Sequence, residues 1–112
     1  MITVQRALDI LEPIPKKKFI INNYSCDIKG KHCSIGFIAV HFANCEIGID
    51  YSTPEILEFR CKTRDYIRDN HEEDFQSDIT RVNDSRTVNG YTEHHPKDRV
   101  IHLLKDMLFD GY

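Results

Sequence analysis

The sequence predicts an α+β fold: one mostly helical domain with a β-hairpin between its first two helices. Three observations carry that reading. Val4, Ala7, Leu8 and Leu11 recur at helical spacing near the start, as do Val100, Ile101, Leu103, Leu104, Met107 and Leu108 near the end. Between them, the apolar run Phe19-Ile20-Ile21 precedes the turn chemistry of Asp27-Ile28-Lys29-Gly30, a hairpin pattern over about residues 18–32. The third is length: 112 residues allow one core and leave too little chain for a second, so residues 1–112 are expected to form a single domain.

Each element has a local reason. Thr3 can cap a first helix from about Thr3 to Glu12, and Pro13 and Pro15 stop it. Lys16-Lys17-Lys18 then leads into the strand Phe19–Ile21. Residues 34–43, opened by Cys33-Ser34, are almost wholly apolar, with Ile35, Phe37, Ile38, Val40 and Phe42. Period alone does not separate helix from strand in so short a run. The continuation through Ala39 and Ala43, and a glycine at 36 that admits a close neighbour, favour helix. With so little polar surface, that helix is expected at the centre of the domain. Asn44 to Tyr51 alternates Ile47, Ile49 and Tyr51, which fits either a short strand or an ordered loop.

Ser52-Thr53-Pro54-Glu55 combines a capping hydroxyl, a first-turn proline and a carboxylate at the positive end of a helix. Ile56, Leu57, Phe59, Arg60 and Ile67 carry that helix to about Asp69. The segment Asn70-His71-Glu72-Glu73-Asp74 breaks it. A short helix from Phe75 through Val82 is expected next, with Ile79 and Val82 inward. Residues 83–93 read as a polar loop, and Pro96 opens the last helix.

Composition narrows the functional classes. The 40% hydrophobic and 29% charged fractions are ordinary for a globular chain. No apolar run reaches the roughly 18 to 20 residues that span a bilayer, and Met-Ile-Thr-Val-Gln-Arg lacks the layout of a secretory signal. A cytoplasmic protein is expected, with Cys26, Cys33, Cys45 and Cys61 reduced. No Cys-x-x-Cys pair suggests zinc, and the five glycines fit no phosphate or dinucleotide loop. No cofactor or metal is expected.

Charge is unevenly placed. Residues 1–33 hold six basic and three acidic groups, whereas residues 65–84 hold seven acidic groups against Arg68 and Arg81. Separation of this kind marks an oriented contact with a partner, while an acidic belt argues against phosphate-backbone binding. The reading that follows is a small non-enzymatic binding protein. It would be an accessory factor of a phage or mobile element that docks on a host protein and modulates or blocks it. Asp69, Glu72, Glu73, Asp74 and Asp78 are its expected binding residues. Self-association through a leftover apolar face is also open, with the aromatics of Phe109-Asp110-Gly111-Tyr112 available to a neighbour.

The order of elements resembles that of an uncharacterised family of small bacterial and phage proteins. The resemblance rests on Cys33 and Gly36 of a Cys-x-x-Gly helix start, and on Asn83-Asp84 ahead of a C-terminal helix. The chain lacks the tryptophan usual in that family. The resemblance implies the fold and carries no activity. An enzymatic alternative starts from the residues themselves. A thiol at a helix N-terminus can become a nucleophilic thiolate. Cys33, with His102 (or His32, His94 or His95) as base and Asp84 or Asn83 as orienting group, would complete a Cys–His–Asp/Asn set.

Overall fold

The computed structural model describes residues 1–22, 30–43, 53–71 and 76–112. Among these residues five α-helices follow one another: α1 (Val4–Leu11), α2 (Ser34–Ala43), α3 (Pro54–His71), α4 (Ile79–Asp84) and α5 (Pro96–Phe109). A 3-10 turn, Lys16–Lys18, lies between α1 and α2.

The helix starts obey side-chain capping. Thr3 accepts from the Arg6 amide, and Thr53 Oγ1 accepts from the Ile56 amide. Asp78 receives the amides of Thr80 and Arg81, so α4 begins at Ile79. The predicted start at Phe75 lies outside the described residues. This helix also runs on through Asn83 and Asp84, which the sequence placed in a loop. In α5 the imidazole of His95 caps by accepting from the Lys97 amide at 3.1 Å, just ahead of Pro96.

The predicted β-hairpin is not formed, and the α+β class gives way to an all-helical arrangement among the described residues. Instead of a strand, Phe19 makes one isolated bridge to His32, and that bridge is parallel. The Ile20 amide donates to the His32 carbonyl at 3.1 Å, and the His32 amide donates to the Lys18 carbonyl at 3.2 Å. A hairpin pairs antiparallel strands through a tight turn, whereas parallel pairing needs a longer crossover. The backbone explains the change. Lys16–Lys18 winds into a turn where the sequence suggested extension. Among the described residues of this connection, Asn22 (φ 64°) and Gly30 (φ 84°) are left-handed. The alternating segment Asn44–Tyr51 lies outside the described residues.

The core draws on all five helices. Val4, Ala7, Leu8 and Leu11 of α1 meet Ile35, Ile38 and Ala39 of α2, and Val100, Leu103, Leu104 and Met107 of α5 close the other side. α5 packs against α1 and α4, and α2 lies between α1 and α4. Residues 34–39 of α2 are all buried, so its apolar sequence has the central position expected of it. α3 is more peripheral and reaches the core through Ile56, Phe59, Thr63, Tyr66 and Ile67. Burying one such large apolar side chain contributes about 1.5–3 kcal/mol. Two residues of the expected polar loop, Val88 and Tyr91, are fully buried as well. Among the described residues, no helix is long and apolar enough to cross a membrane.

Candidate functional site

Three surfaces or clusters bear on function. The first surrounds Cys33 at the start of α2. Its sulfur accepts from the Gly36 amide at 3.4 Å, and the residue is 1% exposed. Burial pushes the thiol up to about 11, and the charge of Asp84 adds to the effect against the helix amides. A thiol held protonated this way is a poor nucleophile.

The neighbours of Cys33 are occupied in holding the fold. Asn83 is fully buried; its Oδ1 accepts from the Ser34 amide at 3.0 Å, while Nδ2 donates to the Ile20 carbonyl and to Asp84 Oδ1, both at 2.9 Å. Asp84 Oδ1 also accepts from the Asn22 amide at 2.9 Å. Behind them, buried Arg99 donates to the carbonyls of Val82 (2.7 Å), Asn83 (2.6 Å), Glu93 (2.8 Å) and His94 (3.0 Å). Among the described residues its guanidinium bonds to backbone oxygens only, tying the C-terminal end of α4 to the segment ahead of α5. Nothing in the sequence singled out Arg99, because an arginine on a helix is ordinarily a solvent-facing residue.

The proposed triad is only partly gathered. Asp84 stands by Cys33, but His102 belongs to a second cluster on α5. There its Nδ1 faces Glu93 at 2.8 Å and its Nε2 faces Asp106 at 3.4 Å. The other histidines considered as bases are placed differently. His32 is buried edge-on against Phe37, His94 offers its carbonyl to Arg99, and His95 caps α5, where burial lowers its pKa.

The His102 cluster extends across the molecule. Tyr91 donates its hydroxyl to Asp106 at 3.0 Å and therefore accepts from His71 Nε2 at 2.9 Å. Gly90 makes room for this: a Cβ there would lie 2.7 Å from the His71 ring, and its φ of +89° disfavours a side chain in any case. Beside it, Tyr66 donates to Asp110 at 2.5 Å and packs against the Tyr112 ring at 5.2 Å. Both buried phenols, Tyr66 and Tyr91, are raised above their ordinary value, first by burial and then by their carboxylate partners.

The third surface is the end of α5. The Gly111 amide donates to the Leu108 carbonyl and the Tyr112 amide to the Met107 carbonyl, with Gly111 left-handed at φ 93°. Those paired bonds form a Schellman cap. The cap and the Tyr66–Asp110 bond turn Tyr112 back toward α3 and leave Phe109 facing outward at 91% exposure, next to half-exposed Leu108. A fixed helix end therefore presents a phenylalanine to water.

The acidic residues singled out from the sequence fall in unlike places. Asp69 is exposed and pairs with Arg68 at 3.1 Å. Asp78 is mostly buried, caps α4 and pairs with Arg60 at 3.1 Å. Glu72, Glu73 and Asp74 lie outside the described residues. The adjoining Asp65 meets Arg64 and Arg68, so the described part of the belt is interleaved with arginines of α3. Among the described residues no group of histidine, cysteine and carboxylate side chains is suited to hold a metal. Comparison with protein-family models, curated proteins and solved structures finds no match. The resemblance to an uncharacterised family thus rests on Cys33, Gly36, Asn83 and Asp84 alone.

Proposed function

We propose that this chain is a small non-enzymatic binding protein that docks on another protein through the C-terminal end of α5 and modulates it. The observation that supports this most is Phe109, 91% exposed on a helix end that is capped and pinned rather than frayed. Because the backbone that carries it is already fixed, docking need order little beyond the Phe109 side chain itself, and aromatics are the usual anchors of such contacts. Asp110 beside it accepts from the Tyr66 hydroxyl. Asp69 lies one turn beyond Tyr66 on α3. The partner surface that suits this end is an apolar pocket with basic residues at its edge.

Relative to the sequence reading, the anchor moves from carboxylates toward an aromatic residue with flanking acids. The competing enzymatic reading loses its nucleophile to the burial of Cys33. The test is to compare wild type and Phe109→Ser as baits in the natural cellular background. Phe109 contributes little to the core, so the variant should melt at the wild-type temperature. Loss of a stoichiometric partner at unchanged stability is the expected result. Equal recovery of that partner by both baits, or no partner with either, would count against this surface.

A further inference from the structure

The groove between α1 and α2 carries two charges that no opposite charge among the described residues meets. It has a volume of about 340 Å³ and a floor of Ile10, Ile14, Phe37 and Val40, edged by Arg6, Asp9 and His41. Arg6 Nη2 donates to His41 Nε2 at 3.0 Å. Because a guanidinium only donates, the ring accepts there and is the neutral tautomer protonated on Nδ1. Asp9 Oδ1 accepts from the Gln5 side-chain Nε2 at 2.9 Å. Among the described residues, neither Arg6 nor Asp9 meets an opposite charge.

Their order along α1 also runs against the helix. A helix favours acid in its first turn and base in its last. α1 has no acid in the first turn and no base in the last, and instead carries Arg6 early and Asp9 late. Helix stability therefore does not account for these two charges. They sit three residues apart on the exposed side of α1, at the edge of an apolar floor. Phe42, 47% exposed near the C-terminal end of α2, packs edge-on against the His41 ring.

We propose that this face pairs with a second copy of the chain across a two-fold axis, with Arg6 of each copy meeting Asp9 of the other. In a two-fold contact each surface must complement itself, so a residue that meets another is met by it in return. A base and an acid flanking one apolar strip satisfy that condition, and no other sequence is needed to satisfy both charges. Antiparallel α1 helices set in this register also bring Gln5 of one copy opposite Ile10 of the other. A standard interface buries about 800 Å² per partner, against 6306 Å² for the whole chain. The shallow groove makes a reversible, concentration-dependent dimer the expected outcome, with the charges fixing register more than strength. This proposal is independent of the Phe109 surface, which lies on the end of α5.

Sedimentation velocity over a concentration series tests it, using wild type, Arg6→Asp, Asp9→Arg, and an equimolar mixture of the two variants. The Arg6→Asp chain is acidic at both positions and the Asp9→Arg chain basic at both. Each should dimerise at least about tenfold more weakly than wild type, because like charges then face each other twice. The mixture should recover a mixed dimer, since both contacts are rejoined between unlike copies. Each substitution also aligns its charge with the α1 dipole, so neither should lower the melting temperature. That separates a lost interface from a damaged fold. A wild type that stays monomeric at every concentration would overturn the proposal. So would a dimer indifferent to both single changes, or one abolished by Phe109→Ser.

Discussion

Cys33 illustrates how far one residue's role depends on what covers it. Its position ahead of α2 gives it helix amides, which favour thiolate, yet burial outweighs them and holds the thiol near 11. Cys61 is exposed on α3. At neutral pH and in the folded protein, Cys61 should therefore alkylate well before Cys33, which should react only as the protein unfolds. Mass mapping of iodoacetamide adducts with time checks this, and early modification at Cys33 would reopen the enzymatic reading. The sequence located the residue and its helix correctly. It could not locate the cover, because the burial of Cys33 depends on segments distant in the chain, with Asn83 and Asp84 beside it. Arg99 was illegible for the same reason: its carbonyl partners come from backbone, which carries no side-chain signature.

At the scale of elements, the caps were readable and the connection between α1 and α2 was not. Thr3, Thr53 and Pro96 act locally, within one turn of their own amides, so a short window of sequence contains all the information. The path from Phe19 to His32 is set instead by where its ends are tied. Ile20 and Asn22 are held by Asn83 and Asp84, some sixty residues away. Asn83 thereby joins α4, the start of α2 and the segment after the lysine turn. Replacing it with alanine would leave the Ser34 amide and the Ile20 carbonyl without their partner. Asn83→Ala should cost about 2–3 kcal/mol, from the desolvated groups and the lost cap. Urea unfolding measures it, and a change below a tenth of that size would show that the network is dispensable. The expected apolar face of α1 is buried throughout, whereas that of α5 holds at Val100, Leu103, Leu104 and Met107 but leaves Ile101 half-buried and Leu108 exposed, because the end of the helix runs past the core.

For the whole molecule, the two buried phenols predict a pH dependence. Tyr66 and Tyr91 have folded-state pKa values raised above the ordinary tyrosine value, chiefly by burial and then by Asp110 and Asp106. The folded chain thus keeps protons that the unfolded chain releases. Their contribution is fully present below about pH 10, the unfolded tyrosine value. It is lost progressively above that pH, because stability falls with pH wherever the folded state binds more protons. Cys33 acts in the same direction over a similar range. Unfolding followed by ellipticity and by tyrosinate absorbance should show both phenols ionising together with loss of helix. Ionisation of all five tyrosines while the helices persist would contradict it.

The parallel bridge at Phe19 and His32 also bears on how the chain tolerates changes in length. A parallel pair must be joined by a crossover of a dozen or so residues, and the segment from residue 20 to residue 31 is about that long. Shortening it by even a few positions would pull the bridge, the Ser34 cap and the Asp84 contact out of register together. Lengthening it is a different matter, since closure entropy grows only slowly with chain length, by about 0.6 kcal/mol per doubling. An added epitope or a dye-labelling sequence between residues 23 and 29 should therefore leave the helices assembled, whereas a deletion of the same size should not. Variation in length along this connection ought to run one way, toward longer chains.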